Sequence, residues 1–192
     1  MSFLHRLFVF SIFASSLLAH DIGLFNELKN MCEKDQQARF AVINSGPLAS
    51  EEAAKLIEAV DKENLPRLKA IVDQFGWPGF QLVGEEGSDK MWLLVQHCDK
   101  DLEFQKVCLQ LLKEAVAKED ATKRHLAYLT DRVLVNEGFA QLYGTQVQLI
   151  DGQALARPID NPEQLDKRRA EMRLEPFADY LNLLKEVYHL DE

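Results

Sequence analysis

Residues 92–118 read WLLVQHCDKDLEFQKVCLQLLKEAVAK. Two apolar stretches meet here at a polar knot, Gln96, His97, Cys98 and Asp99. In the second stretch Leu102, Phe104, Val107, Cys108, Leu111, Leu112, Ala115 and Val116 cover more than half of a helix surface at 3.6 residues per turn. That spacing predicts a helix at the centre of a bundle. Gln105 shares a face with Cys108, Leu109 and Leu112, so it points inward. A polar group buried among Leu and Val without a partner costs about 1–3 kcal/mol. Other parts of the chain must therefore come to meet Gln105 and the knot before it.

Helical periodicity extends on both sides. Leu24, Phe25, Leu28, Met31 and Cys32 form an i, i+3, i+4 stripe on a first helix, His20 to Val42, which Ser45-Gly46-Pro47 ends. Leu56, Ile57 and Val60 mark a second. The pattern breaks at Asp61 to Asn64, and Pro66 starts a third helix with Leu68, Ile71 and Val72. Gly76-Trp77-Pro78-Gly79 reads as a turn with Trp77 packed inward, and Phe80 to Gly84 as extended chain. Ser88 would cap the His97 helix, and Asp99 or Asp101 the next. Thr122 opens a helix to Val135, with Asp131 on its apolar side and His125 among charges in solvent. Asp151-Gly152 between Val147–Ile150 and Gln153–Ile159 is a strong hairpin signal. Asn161-Pro162 and Pro176 open the last two helices. The expectation is a mainly α single domain over residues 20–192: a bundle of about six to seven helices with one small β-hairpin at about 146–158.

Hydrophobic residues make up 47% of the 192 and charged residues 28%, an ordinary globular composition that argues against disorder. The formal net charge is −9 without a basic block, which argues against nucleic acid and anionic membrane as partners. Residues 1–19 read as a secretory signal peptide: Arg6, then an apolar run from Leu7 to Leu18, then Ala19. The run is short for a bilayer span, which weighs against an uncleaved anchor. Cleavage removes one basic residue and leaves a mature chain near −10, periplasmic or secreted, with no membrane association. The three cysteines fit no zinc spacing, and an odd number leaves at least one unpaired within the chain. Cys98 and Cys108 read as small buried residues, and a bridge from Cys32 to one of them stays open.

Four groups look out of place for simple packing: His97 with Asp99, Gln105, Asp131 with Arg132, and the run Gln141 to Gln146. Brought together, they have a legible chemistry. His97 is the natural proton carrier near neutral pH, and Asp99 or Asp131 could orient it. Arg132 could hold an anion by paired hydrogen bonds. Gln105, Gln141, Gln146 and Tyr143 suit the polar groups of a small ligand, and Gly144 suits close backbone approach or a turn with positive φ. Cys98 drops out as a nucleophile paired with His97, because adjacent helical residues point about 100° apart. His97 and Asp99 are too few for a metal site, and no cofactor is expected. Three readings stand: a pocket for a small polar ligand, a hydrolase-like enzyme with His97 as general base, and a buried polar network that only fixes packing.

The ordered set DQxxR (Asp35 to Arg39), GWP (Gly76 to Pro78), QHxD (Gln96 to Asp99), Gln105, DR (Asp131, Arg132), GxxQxYGTQ (Gly138 to Gln146) and DxxR (Asp166 to Arg169) resembles an uncharacterised bacterial family, a domain of unknown function. The resemblance covers about Leu24 to Tyr180. It implies one mostly helical domain and marks His97, Asp99, Gln105, Asp131, Arg132, Gln141, Tyr143 and Gln146 as motif positions. It carries no activity to transfer.

Overall fold

The computed structural model describes residues 20–44, 50–150 and 153–188; the expected leader (1–19), the Ser45–Pro47 stop and the Asp151-Gly152 turn lie outside the described residues. The described elements are α1 (Ile22–Asn44), α2 (Ser50–Phe75), α3 (Phe80–Gln96), α4 (Leu102–Ala117), α5 (Lys123–Asn136), β1 (Val147–Ile150), β2 (Gln153–Ala156), α6 (Leu165–Glu171) and α7 (Phe177–Tyr188). The fold is mainly α: the described residues form seven α-helices and one antiparallel pair of strands in which Val147 pairs with Ala156 and Ile150 with Gln153.

The central helix is α3, where α4 was expected. It packs on α1 along one side and touches α4 and α5 on the other, while α1 also packs on α2 and α4 on α5. Leu28, Ile71, Met91, Val95, Cys108, Leu112 and Leu129 from these five helices are fully enclosed. In α4 only one face, with Phe104, Gln105, Cys108, Leu112 and Ala115, is buried. Val107 on the opposite side stays 53% exposed. Apolar residues all round a helix do not centre it when partners reach only one face.

The break expected within residues 51–75 is absent, and α2 runs through Pro66. The missing Pro66 N–H removes one ladder bond. Burial of Leu68, Ile71 and Val72 carries the helix past it. Residues Phe80 to Val83 are a helical turn rather than extended chain, set off from the rest of α3 by Gly84 at φ 74°, ψ 171°. The turn begins where it does because Asp120 accepts its first amides: Phe80 N donates to the Asp120 carbonyl at 2.9 Å and Gln81 N to its carboxylate at 2.7 Å. Ser88 is therefore no cap. It is buried and accepts from Trp77 Nε1 at 3.4 Å.

Other local signals act as read. Asp101 caps α4 through Phe104 N at 3.0 Å, and Thr122 caps α5 through His125 N at 3.0 Å. Asn161 does not cap through its side chain; it takes φ 46° ahead of a short 3-10 turn, Pro162–Gln164, that leads into α6. Cys32, Cys98 and Cys108 are all buried and free, so no bridge forms. His125 overturns its solvent assignment. It lies one turn before Leu129 on the buried side of α5, and its ring stacks on Trp92 with centroids 4.2 Å apart.

Candidate functional site

His97 follows the last residue of α3, and its backbone N–H still donates to the Leu94 carbonyl at 3.1 Å. The helix end thus fixes the ring's origin. Its orientation comes from α1. Nδ1 lies 2.8 Å from Asp35 Oδ2 and 2.9 Å from Arg39 Nε. A protonated Nδ1 donates to Asp35, whereas a bare Nδ1 accepts from Arg39 and turns its lone pair toward the carboxylate. The first arrangement avoids that repulsion and leaves Arg39 Nε to donate to Asp35 Oδ1 at 3.1 Å. Nε2 is then the bare nitrogen, and among the described residues no hydrogen bond engages it.

Asp35 is almost fully buried yet well satisfied. Besides His97 and Arg39, Gln36 Nε2 donates to it at 2.8 Å. Burial alone raises its carboxyl, but the contacts to His97, Arg39 and Gln36 outweigh burial and hold it below the ordinary value. Arg39 reaches on to Asp61 of α2 at 2.6 Å. Burial pushes the Asp61 carboxyl up in spite of Arg39. Three helices therefore meet at one charged array of Asp35, Arg39, Asp61 and His97.

The array borders a cavity of about 340 Å³ between α2 and the α3–α4 turn. Asp61, Lys62, Leu65, His97 and Cys98 are among its walls. The His97 side chain is 16% exposed. Cys98 beside it is no nucleophile. Its Sγ faces the Leu94 carbonyl at 3.5 Å, and burial, with the nearby Asp61 carboxylate, pushes its thiol up to about 12.

The other sequence-derived candidates gather elsewhere, in two linked clusters. In the first, Asp99 accepts a two-pronged contact from Arg132 at 2.8 and 2.7 Å and a third bond from Asn136 at 2.9 Å. Burial raises the Asp99 carboxyl, but Arg132, Asn136 and Gln105 outweigh burial and hold it low. Gln105 is closed at both ends: Nε2 donates to the Val95 carbonyl at 3.1 Å and to Asp99 at 3.2 Å, and Oε1 accepts from Asn136 at 3.1 Å. Arg132 also reaches Gln146 Oε1 at 3.3 Å.

In the second cluster Asp131, fully buried, organises the loop after α5. Its carboxylate accepts from Leu142 N, Tyr143 N, Thr145 N and Thr145 Oγ1 at 2.7 to 3.1 Å. Burial raises its carboxyl against these donors. Gln141 ties the loop to the strand approach, donating to the Gln146 and Arg157 carbonyls and accepting from Gln146 N. The Tyr143 carbonyl accepts from buried Arg169 at 2.6 Å. Gly144 takes φ 67° against Phe177, so its freedom serves a turn.

Neither Asp99 nor Asp131 is the carboxylate on His97; Asp35 is. The sequence reading quoted Asp35 and Arg39 in the DQxxR motif but named neither as a site residue, and it gave Asp61 only as part of a helix break. A signal for Asp35 existed, because it continues the Leu28–Cys32 stripe by one turn and so is a charge on a buried face. Among the described residues, no group of three His, Cys, Asp or Glu is placed to hold a metal ion, and no helix is long and apolar enough to cross a membrane.

The fold and site define a mainly α protein with a histidine–aspartate pair at the edge of a small cavity. Residues 22–192 match the family model described as Family of unknown function (DUF6624), and the chain belongs to that family. No curated protein and no solved structure matches the chain.

Proposed function

We propose that this is an exported bacterial protein, periplasmic or secreted, that binds a small polar ligand beside His97 and acts on it with His97 as general base. The leader-like residues 1–19 support export. The contact that carries the catalytic reading is the 2.8 Å approach of buried Asp35 to His97 Nδ1 at the cavity wall. Asp35 holds the proton on Nδ1 and leaves Nε2 to take one from a water molecule as that water adds to an ester carbonyl of the ligand, and Asp35 stabilises the imidazolium that forms. Collapse of the adduct breaks the bond from the carbonyl carbon to the leaving oxygen, and Nε2 returns its proton to that oxygen, which regenerates the neutral imidazole. With the Cys98 thiol inert, water is the nucleophile this site favours.

A structural role suits Asp99, Gln105, Asp131, Arg132, Gln141 and Gln146 better than ligand contact. Their hydrogen-bonding groups close on one another and on backbone within the protein. The test is hydrolysis of 4-nitrophenyl acetate, with helicity checked by circular dichroism. His97→Gln should abolish the rate above buffer, and Asp35→Asn should lower it about tenfold or more. A folded His97→Gln protein as fast as the parent would remove the general-base reading.

A further inference from the structure

The cavity beside His97 holds its charges unevenly. Each of its carboxylates is already taken by a cation: Glu58 by Lys100 at 2.7 Å, Asp61 by Arg39 at 2.6 Å, and Asp101 by Lys69 at 2.6 Å. Lys62, also on its wall, is exposed and makes no hydrogen bond or ion pair with the described residues. The carboxylate it approaches, Glu58, is the one Lys100 holds. The cavity therefore offers one uncommitted ammonium and one uncommitted imidazole nitrogen, and no uncommitted anion. Leu65 and Cys98 give it an apolar wall. Its volume of about 340 Å³ suits a molecule of a few to a dozen heavy atoms.

We infer that the ligand carries an anionic oxygen group, a carboxylate or a phosphate. Lys62 holds that group at the cavity mouth as a compact point charge, while the rest of the molecule lies along Leu65 toward His97. The inference rests on the reading of this cavity as the working site, but its test needs no turnover.

The imidazole resonances of His97 are followed by NMR while sodium acetate, sodium phosphate or neutral acetamide is added at constant ionic strength. Acetate or phosphate should shift them saturably, and acetamide should not. Lys62→Gln, a change at an exposed position, should weaken the anion's affinity about tenfold, the effect of losing one charge-assisted contact. Comparing the two anions tells carboxylate from phosphate. Absence of a saturable shift, an unchanged affinity in Lys62→Gln, or an equal response to acetamide overturns the inference. Ester hydrolysis that survives such a result leaves His97 as base and rejects only the anion; loss of both rejects the site.

Discussion

Acidification should unfold this protein partly through His125. Its ring stacks on Trp92 and is 9% exposed at the side chain; Nδ1 has no hydrogen-bond partner among the described residues, and Nε2 lies 3.5 Å from the half-exposed Asp89 carboxylate, too exposed to offset burial. Burial, helped by Arg124, lowers its pKa from 6.5 to about 4. The depressed folded value sets the sign: the unfolded chain binds the proton first, so stability is full above about pH 6.5 and is lost as pH falls toward 4. Between about pH 7.5 and 5 the loss is about 2 kcal/mol, and the ceiling below pH 4 is about 3 kcal/mol. In a chain of this size, 2 kcal/mol lowers the melting temperature by roughly 4–8 °C. The assay is urea unfolding followed by circular dichroism at both pH values, for the parent and for His125→Phe, which keeps a ring against Trp92. Other groups titrate over the same range, so the quantity that counts is the difference between the two proteins. The parent should lose about 2 kcal/mol more than the variant. A difference under about 0.5 kcal/mol, or one of opposite sign, would refute the assignment of His125 as a neutral core imidazole.

Three further changes probe the rest of the fold. Asp131→Asn puts an amide NH2 among amide donors and should cost about 2–4 kcal/mol in urea unfolding, with helix content kept at low denaturant. Gly144→Ala meets a φ of 67° and a Phe177 ring carbon 2.9 Å from the new Cβ, so its melting temperature should fall by an amount equal to about 2–4 kcal/mol. Arg132→Gln removes a two-pronged contact to Asp99, whose side chain is 44% exposed; solvent screening limits the loss to about 1 kcal/mol by thermal unfolding.

Short-range chemistry made most of this fold legible. Gln105 and Asp131 announce their burial by standing on apolar faces, and both are fully enclosed. Thr122 and Asp101 mark their helix starts because each acts on a residue three positions away. The start of α3 escaped for the opposite reason: it is set by Asp120, some forty residues on. Pro66 misled because a local cost was outweighed by burial. His125 has Lys123 and Arg124 before it, yet its spacing to Leu129 and Val133 is that of a buried face, so periodicity was the better guide than neighbours. The site was legible by halves. His97 stood out, but its partner Asp35 is 62 residues away, and only the packing of α1 on α3 brings the two together.

That pairing is the centre of the account, and the protonation of His97 tests it most directly. Long-range proton–nitrogen correlation spectra of the histidine side chains, recorded with the imidazole neutral, distinguish a proton on Nδ1 from one on Nε2. The account predicts a proton on Nδ1 and a bare Nε2 in the parent, with the preference weakened in Asp35→Asn. A proton on Nε2, with Nδ1 accepting from Arg39, would contradict it.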